Sequence, residues 1–504
     1  MSEEIPVTPT PVATAADPAA GPAFPRQTAR GGRMDLTSGP ITKTLILFAL
    51  PTLASNILQT LSGSVNSIWV GQFLGNSALA ATANANIIMF LMFGAFFGFG
   101  MAATVLIGQS MGRGDIDAAR RATGGVIGLA LIFAVVIAIV GWFASDQILR
   151  WLETPAEAFA LAHDYLRVTF LAIPASMLSV TLMMASRGAG DAVTPLRFMI
   201  LAVVLDIVLN PVLILGMGPF PRLGIAGSAL ATALAGTISL IGMIAWFYRT
   251  DHVLRLRGHE LSYLIPKWSE LRFIVGRGLP MGAQMLVISG AGLIMVGLVN
   301  REGLVTAAAY GATLQLWNYI QMPALAIGAA VSSMVAQNIG AGRWDRVSSV
   351  TNSGIAINLA MTGVLIGLLL LFDRAALALF LGSESPAIDV ARNIQLIATW
   401  TFLPFGTTIV LISTLRANGS VVPPLIILFL SMFPIRLGIY YFGYPAVGSD
   451  ILWWSFPLSS LASLAMAWTI YKRGNWRRTL PRPRNRRAAF DQGAHRFDWR
   501  PGGR

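Results

Sequence analysis

The chain has 504 residues, of which 55% are hydrophobic and only 12% are charged, and its mean hydropathy is +0.66. A soluble domain carries charges on about a quarter of its residues, so this composition excludes a soluble globular protein. The net charge of +13 would suit a nucleic-acid-binding protein, but the Lys and Arg residues concentrate in both tails and in alternate loops. That distribution is typical of membrane topology, and no nucleic-acid partner is expected.

The chain begins with residues 1–38, which are rich in Pro, Ala and Thr and lack the basic and apolar regions of a signal peptide. We expect a disordered cytoplasmic tail there. Apolar runs of about 20 residues, long enough to cross a bilayer, then recur along the chain. They predict twelve transmembrane helices, near 43–70, 78–108, 121–144, 161–186, 195–216, 224–248, 273–299, 304–336, 348–371, 391–415, 422–443 and 450–471.

The alternation of basic and basic-poor loops predicts that both termini lie in the cytoplasm. Arg113, Arg120 and Arg121 belong to one basic loop, and residues 249–272 contain another. The tail 473–504 is also strongly basic. This tail is expected to touch anionic lipid, and a specific partner site is the alternative. The chain contains no Cys, which excludes disulfides, thiolate metal sites and cysteine nucleophiles.

Two motifs recur at a nearly constant displacement along the chain. The segment GQSMGRGD, which contains Gln109, resembles AQNIGAGRWD, which contains Gln337. The segment RGAGDAVTPL (187–196) resembles RANGSVVPPL (416–425), and the displacement between these two is almost the same. Pro51 and Pro280 are separated by the same displacement. The chain therefore contains an internal repeat.

A repeat of six helices keeps its orientation in the membrane, so an axis along the membrane normal should relate the two halves. We predict an all-α polytopic membrane protein with two pseudo-symmetric six-helix lobes, at residues 39–250 and 273–472, joined by a cytoplasmic linker at 251–272. Glycines in the repeated motifs favour tight turns. A gate that opens as the lobes move is the alternative role of these motifs.

Amide side chains lie on one face of the first predicted helix. Asn56, Gln59 and Asn66 follow helical spacing, and Gln315 with Asn318 forms a shorter patch on the eighth helix. An amide face turned to lipid would leave donors and acceptors unsatisfied. These residues therefore predict either hydrogen bonding between helices or the wall of a hydrated cleft.

The fifth predicted helix contains Asp206, within the segment AVVLDIVLNPVLIL. Burial disfavours the charged form of a carboxylate, so this group is able to bind and release a proton as its surroundings change. It could instead hold Na⁺ with Asn210 and with the Ile207 carbonyl, which Pro211 deprives of its usual backbone donor. A buried aspartate that is hydrogen-bonded to neighbouring helices is the third interpretation.

Arg436 is the one basic residue deep within a predicted span, and it lies near the position that matches Asp206 in the second half. Three roles are open: a counter-charge to Asp206 across the cleft, a side chain that extends to the membrane surface, or a donor to backbone carbonyls. The four His residues lie at span edges, in loops or in the tail, and no GxxxxGK[ST] phosphate loop occurs. An enzyme and an ATP-driven pump are therefore not expected.

The segments LPTLASNILQTLSGSVNSIWVGQFLG, GQSMGRGD, AQNIGAGRWD, RGAGDAVTPL and DIVLNP together resemble the multidrug and toxic compound extrusion (MATE) family over about residues 40–475. The resemblance implies a V-shaped pair of lobes and the export of organic cations or other amphiphiles, driven by inward H⁺ or Na⁺. It also places an ion site in the first lobe. Here Asn66 stands where members usually have an aspartate, and DIVLNP stands where many have NIVLDP. The segment MLVISGAG (285–292) lacks the glutamate of members with an ion site in the second lobe.

The sequence thus predicts an antiporter of the bacterial inner membrane that acts as a monomer, requires no cofactor, and exports amphiphilic, cationic small molecules. A flippase for lipid-linked saccharides is the alternative. Such proteins tend to present several cationic residues in the cleft, whereas Arg436 is the one candidate in this chain. The predicted ion-coupling residues are Asp206, Asn210 and Asn66, with Na⁺ at Asp206 and Asn210 as an option. The predicted cleft residues are Asn56, Gln59, Gln315, Asn318 and Arg436.

Overall fold

The structure is a computed structural model that describes residues 34–151, 154, 156–382 and 384–477. Within these residues every regular element is a helix. The α-helices are α1 Ile41–Leu74, α2 Asn76–Gly112, α3 Ile116–Trp151, α4 Ala156–Gly188, α5 Val193–Leu215, α6 Gly224–Arg249, α7 Trp268–Arg301, α8 Leu304–Gly340, α9 Trp344–Leu371, α10 Asp373–Leu381, α11 Ala387–Ala398, α12 Phe402–Ala417, α13 Val422–Leu430, α14 Arg436–Val447 and α15 Asp450–Arg473.

The prediction of an all-α membrane protein with twelve transmembrane helices is confirmed. Eleven helical segments among the described residues are long and apolar enough to cross a bilayer. Helix α2 contributes a further, shorter apolar segment, Phe96–Gly112. The tenth span is built from α11 and α12, which a 3₁₀ turn joins at Thr399–Thr401. The eleventh is built from α13 and α14, which are joined by a π turn at Ser431–Ile435.

The helices form two lobes, α1–α6 and α7–α15, each with its own apolar core. The core of the first lobe includes Phe96 and Phe170, and that of the second includes Trp317 and Trp453. The lobes meet where α1 and α2 pack against α7 and α8. The proline pair of the repeat lies inside continuous helices, with Pro51 in α1 and Pro280 in α7.

Both described ends of the chain lie at one end of the bundle, which we call the terminal face. Met34 donates its backbone N–H to the Gly190 carbonyl (3.0 Å), and the Leu36 carbonyl accepts a bond from Asn338 Nδ2 (3.0 Å). At the other end of the chain, the ring of Trp476 packs against that of Trp344. Residues 1–33 and 478–504 of the two predicted tails lie outside the described residues, and the predicted domain bounds stay a prediction.

The repeated motifs form matching turns at the terminal face. Gly114 has φ 74° and its counterpart Gly342 has φ 75°, while Gly190 has φ 92° and Gly419 has φ 82°. These values lie in the left-handed region that only glycine adopts without strain. The turn role predicted for the motif glycines is therefore confirmed in both halves.

Candidate functional site

Asp206 lies inside the first lobe, where three neighbouring side chains donate hydrogen bonds to its carboxylate. Thr232 Oγ1 of α6 donates to Oδ1 (2.8 Å), Asn210 Nδ2 donates to Oδ1 (3.1 Å), and Ser62 Oγ of α1 donates to Oδ2 (3.2 Å). Only 4% of Asp206 is exposed. Within the described part of the chain, no Lys, Arg or His side chain forms an ion pair with it. The carboxylate is thus held by neutral donors alone.

Asn210 and Asn66 complete the same group of polar side chains. Asn210 is fully buried, and its Oδ1 has no hydrogen-bond partner. Asn66 Oδ1 accepts a bond from Ser228 Oγ of α6 (2.6 Å), and Tyr165 of α4 lies beside Asn66. The structure therefore brings the three predicted ion-coupling residues into one cluster, which we call the N-lobe cluster. It comprises Ser62, Asn66, Tyr165, Asp206, Asn210, Ser228 and Thr232.

From the sequence, we identified Asp206, Asn210 and Asn66 but not the hydroxyl residues around them. A signal was present, because each of three helices contributes two polar residues four positions apart: 62 and 66 on α1, 206 and 210 on α5, 228 and 232 on α6. Such pairs lie on one face of a helix. Three such pairs, on helices α1, α5 and α6 that pack against one another, predict a shared polar site.

The N-lobe cluster has the chemistry to bind a small cation. Its carboxylate is a group that accepts a proton directly. For Na⁺ the available ligands are oxygens: the carboxylate, the hydroxyls of Ser62 and Thr232, and the unpartnered Oδ1 of Asn210. Asn210 now directs its Nδ2 toward Asp206, so this amide must turn over before both residues ligate one ion.

The predicted cleft amides are open to their surroundings. Gln59, Gln315 and Asn318 are exposed and Asn56 is partly exposed. Among these four, Asn318 alone has a hydrogen bond within the described residues, which it accepts from Gln321 (2.8 Å). Hydrogen bonding between helices therefore does not explain these amides.

The amides belong to two helices that approach each other across the lobes. Nearer the terminal face, Leu53 of α1 and Pro323 of α8 line one apolar crevice, and the amides lie beyond it on the same two helices. Because exposed amides in lipid would remain unsatisfied, we assign this surface to water.

Arg436 lies in the second lobe and makes no contact with Asp206. Its Nε donates to Ser459 Oγ of α15 (3.0 Å), and its guanidinium carbon lies 4.5 Å from the ring centre of Phe456. Of the three predicted roles, the counter-charge to Asp206 is wrong for this conformation. The guanidinium instead rests on an aromatic ring inside its own lobe.

The lobes are fastened to each other at the terminal face by the repeated motifs. Gln109 of the first lobe donates to the Ala417 carbonyl of the second (2.7 Å), and Gln337 of the second lobe donates to the Gly188 carbonyl of the first (3.0 Å). The backbones also touch, since a Cβ added at Gly340 would overlap the carbonyl oxygen of Gln109. We call this contact region the terminal seam.

Comparison with known proteins gives a consistent match. The MatE family model matches residues 51–212 and 280–442, which correspond to the two halves of the repeat. The probable multidrug resistance protein YoeA of Bacillus subtilis (strain 168) is 31% identical over 434 residues, which cover 86% of this chain and 94% of YoeA. YpnP of the same organism, also a probable multidrug resistance protein, is 30% identical, with 88% and 97% covered.

The fold is also found among solved structures. A crystal structure of MATE in complex with MaL6 superposes with a TM-score of 0.80 at 21% identity, and the match covers 87% of this chain and 97% of the other. At this identity the likeness concerns the fold alone.

Proposed function

Because this chain belongs to the MatE family, we propose that it is a secondary active antiporter that exports amphiphilic, cationic small molecules by alternating access. Members of this family are transporters and not enzymes. Inward flow of H⁺ or Na⁺ drives the export, and the N-lobe cluster binds the coupling ion. Membership in this family favours drug export over the flippase alternative.

The observation that carries this proposal is the environment of Asp206. A carboxylate in the bilayer interior costs at least roughly 2.5–3.5 kcal/mol when charged, and here only neutral donors offset that cost. Binding of H⁺ or Na⁺ removes the unpaired charge. The free energy of the cluster therefore depends on whether the ion is bound, which is the property that ion coupling requires.

The cleft between the lobes receives the cargo in this proposal. The exposed amides on α1 and α8 offer hydrogen bonds, and the apolar side chains between them suit an amphiphile. Since the lobes touch at the terminal seam, this conformation opens away from the terminal face. Breaking the seam exposes the cleft to the other side.

We place the protein in the bacterial inner membrane as a monomer, with the terminal face in the cytoplasm. The basic residues support this orientation, because Arg120 and Arg121 in the first turns of α3 and Arg257 between α6 and α7 all lie at that end of the bundle. In this orientation the present conformation faces outward.

Transport in proteoliposomes tests the proposal. Wild-type protein is expected to move rhodamine 6G against its gradient when a ΔpH or a Na⁺ gradient is imposed, and Asp206→Asn is expected to abolish this ion dependence. Asp206→Glu, which keeps the carboxylate, should retain part of it.

Asp389→Asn provides the matched control, because Asp389 is exposed in the first turn of α11, outside both the N-lobe cluster and the repeated motifs. Its transport should equal that of the wild type. Undiminished ion-driven transport by Asp206→Asn would refute the assignment of the ion site.

A further inference from the structure

The two lobes carry opposite charges at equivalent places. Helices α5 and α13 begin at Val193 and Val422, which are separated by the same displacement as the repeated proline pair. The π turn Ser431–Ile435 then follows in the second lobe. Its hydrogen bonds span one residue more than those of an α-helix, so the register advances by one. The counterpart of Asp206 beyond this turn is therefore Arg436.

The neighbours of the two residues support this equivalence. Asp206 accepts a hydrogen bond from Thr232 on the following helix, α6, and Arg436 donates one to Ser459 on the following helix, α15. Thr232 is the ninth residue of α6 and Ser459 is the tenth of α15. In each lobe the charge thus faces a hydroxyl at nearly the same depth of the bundle.

The guanidinium of Arg436 is held in place but is not neutralised. Its guanidinium carbon lies 4.5 Å from the ring centre of Phe456, and Tyr310 of α8 lies close enough to interact with it electrostatically. Among the described residues, no carboxylate forms an ion pair with Arg436, and Nε alone has a hydrogen-bond acceptor. The two terminal nitrogens therefore keep their donors available.

An available guanidinium fork has a specific chemical use. Its paired N–H groups match the two oxygens of a carboxylate or phosphate and bind them bidentately. An unpaired cation inside a membrane protein is costly, and aromatic contact offsets only part of that cost. An oxyanion on the cargo supplies the missing partner.

We propose that the preferred cargo is zwitterionic: besides a cationic, apolar body it carries an oxyanion, which Arg436 binds in the second lobe. This inference rests on the proposed export function and narrows its cargo. A simple organic cation of the same shape is then the poorer ligand, because it leaves Arg436 unpaired and adds a second positive charge near it.

Two dyes that differ by one ester group test this directly. Rhodamine 19 carries a free carboxylate and is zwitterionic at neutral pH, whereas rhodamine 6G is its ethyl ester and a simple cation. Binding to the purified protein is measured by fluorescence anisotropy. The wild type is expected to bind rhodamine 19 at least about ten-fold more tightly, a typical difference for one charge-assisted contact.

Substitution at Arg436 should remove this preference. In Arg436→Gln the two dyes are expected to bind equally, with affinity for rhodamine 6G unchanged or improved, and Arg436→Lys should restore part of the difference. Arg301→Gln, at the exposed end of α7, is the control and should keep the wild-type ratio. Both dyes are measured on one preparation, so a loss of folded protein lowers both signals and leaves the ratio intact.

Equal binding of the two dyes by the wild type, or an unchanged preference in Arg436→Gln, would overturn the inference. Ion-driven export of rhodamine 6G would still stand in that case. Conversely, a preference that Arg436→Gln removes, with no ion-driven export of either dye, supports the oxyanion site and refutes the antiport proposal.

Discussion

Gln109 donates its side-chain amide across the lobe interface to the backbone carbonyl of Ala417, at 2.7 Å. The repeat places a reciprocal bond beside it, from Gln337 to Gly188 at 3.0 Å. Each lobe thus contributes one glutamine donor and one helix-end carbonyl to the terminal seam. Both carbonyls lie near the C-terminal ends of helices, where the last carbonyls lack a helical donor.

Loss of both glutamine side chains should favour opening at the terminal face. A hydrogen bond of this kind contributes about 1 kcal/mol, so Gln109→Ala with Gln337→Ala is expected to shift the open-to-closed ratio by about 30-fold. Since the chain contains no Cys, Ser333→Cys introduces a single thiol at a buried position of α8 near the seam. Maleimide should label this thiol several-fold faster in the double variant.

Gln72→Ala is the control for this measurement, because Gln72 is exposed near the end of α1 away from the terminal face. Its labelling rate should equal that of the Ser333→Cys parent. Equal rates for the double variant and the parent would show that the two bonds do not hold the seam closed.

Close backbone contact should make Gly340 intolerant of any side chain. A methyl group there would overlap the Gln109 carbonyl oxygen, and overpacking of this kind typically costs about 1–3 kcal/mol. Gly340→Ala is therefore expected to lower the melting temperature in detergent and to speed labelling of Ser333→Cys.

Gly363→Ala offers the contrast, because no atom lies within 4 Å of a Cβ at that position in α9. Alanine in a helix interior is favoured over glycine by about 0.5–1 kcal/mol, so this variant should melt slightly higher than the wild type. A Gly340→Ala variant that is as stable as Gly363→Ala would contradict the close contact.

Much of the fold could be predicted because apolar length and charge distribution determine membrane topology directly. The burial of Asp206 within the bundle could also be predicted, since an acid in the middle of an apolar transmembrane run is seldom turned to lipid. Its partners were not, because a Ser or Thr in a helix can bond its own backbone. Whether Ser62 and Thr232 turn toward Asp206 depends on how α1 and α6 rotate about their axes, which packing decides.

The environment of Arg436 could not be predicted from the sequence either. At the constant displacement of the repeat, Asp206 corresponds to Ile435, and the π turn that moves Arg436 into this place has no clear signature in the chain. The division of the tenth span into α11 and α12 could not be predicted either, because the short 3₁₀ turn that joins them lies within one apolar run.

Removal of the Thr232 hydroxyl should destabilise the N-lobe cluster and weaken the coupling of ion flow to export. Thr232→Val keeps the shape of the side chain but removes the 2.8 Å bond to Asp206, and a bond to a charged group contributes about 1.5–3 kcal/mol. We expect a lower melting temperature and slower ion-driven export. In Asp206→Asn the same substitution should cost less, because the charged acceptor is gone.

Thr237→Val on the same helix is the matched control, since within the described part of the chain the Thr237 hydroxyl bonds only the Ala233 carbonyl of its own helix. A double-mutant cycle over Asp206 and Thr232 measures the interaction. An interaction energy near zero would show that the hydroxyl does not stabilise the carboxylate.

Asp191 should make the stability of the terminal face depend on pH. It lies outside the spanning helices, between α4 and α5, and is fully buried beside His252, with Oδ2 3.5 Å from Nε2. Burial alone would raise the pKa of Asp191, but the hydrogen bonds to its carboxylate and the attraction to His252 outweigh it, so the pKa is lowered. Its Oδ1 also accepts the backbone N–H groups of Val193 and Thr194 at the start of α5.

The sign follows from proton linkage. Because the folded pKa is below the unfolded value of about 3.9, the unfolded chain binds the proton more readily, and stability falls as the pH falls. The contribution of Asp191 is complete above about pH 4 to 5 and disappears as the pH passes through the lowered pKa of the folded state. Asp191→Asn should therefore lose stability at neutral pH and show a shallower decline in acid. Thermal unfolding in detergent between neutral and acidic pH measures both effects, and parallel profiles for wild type and Asp191→Asn would contradict this role for the carboxylate.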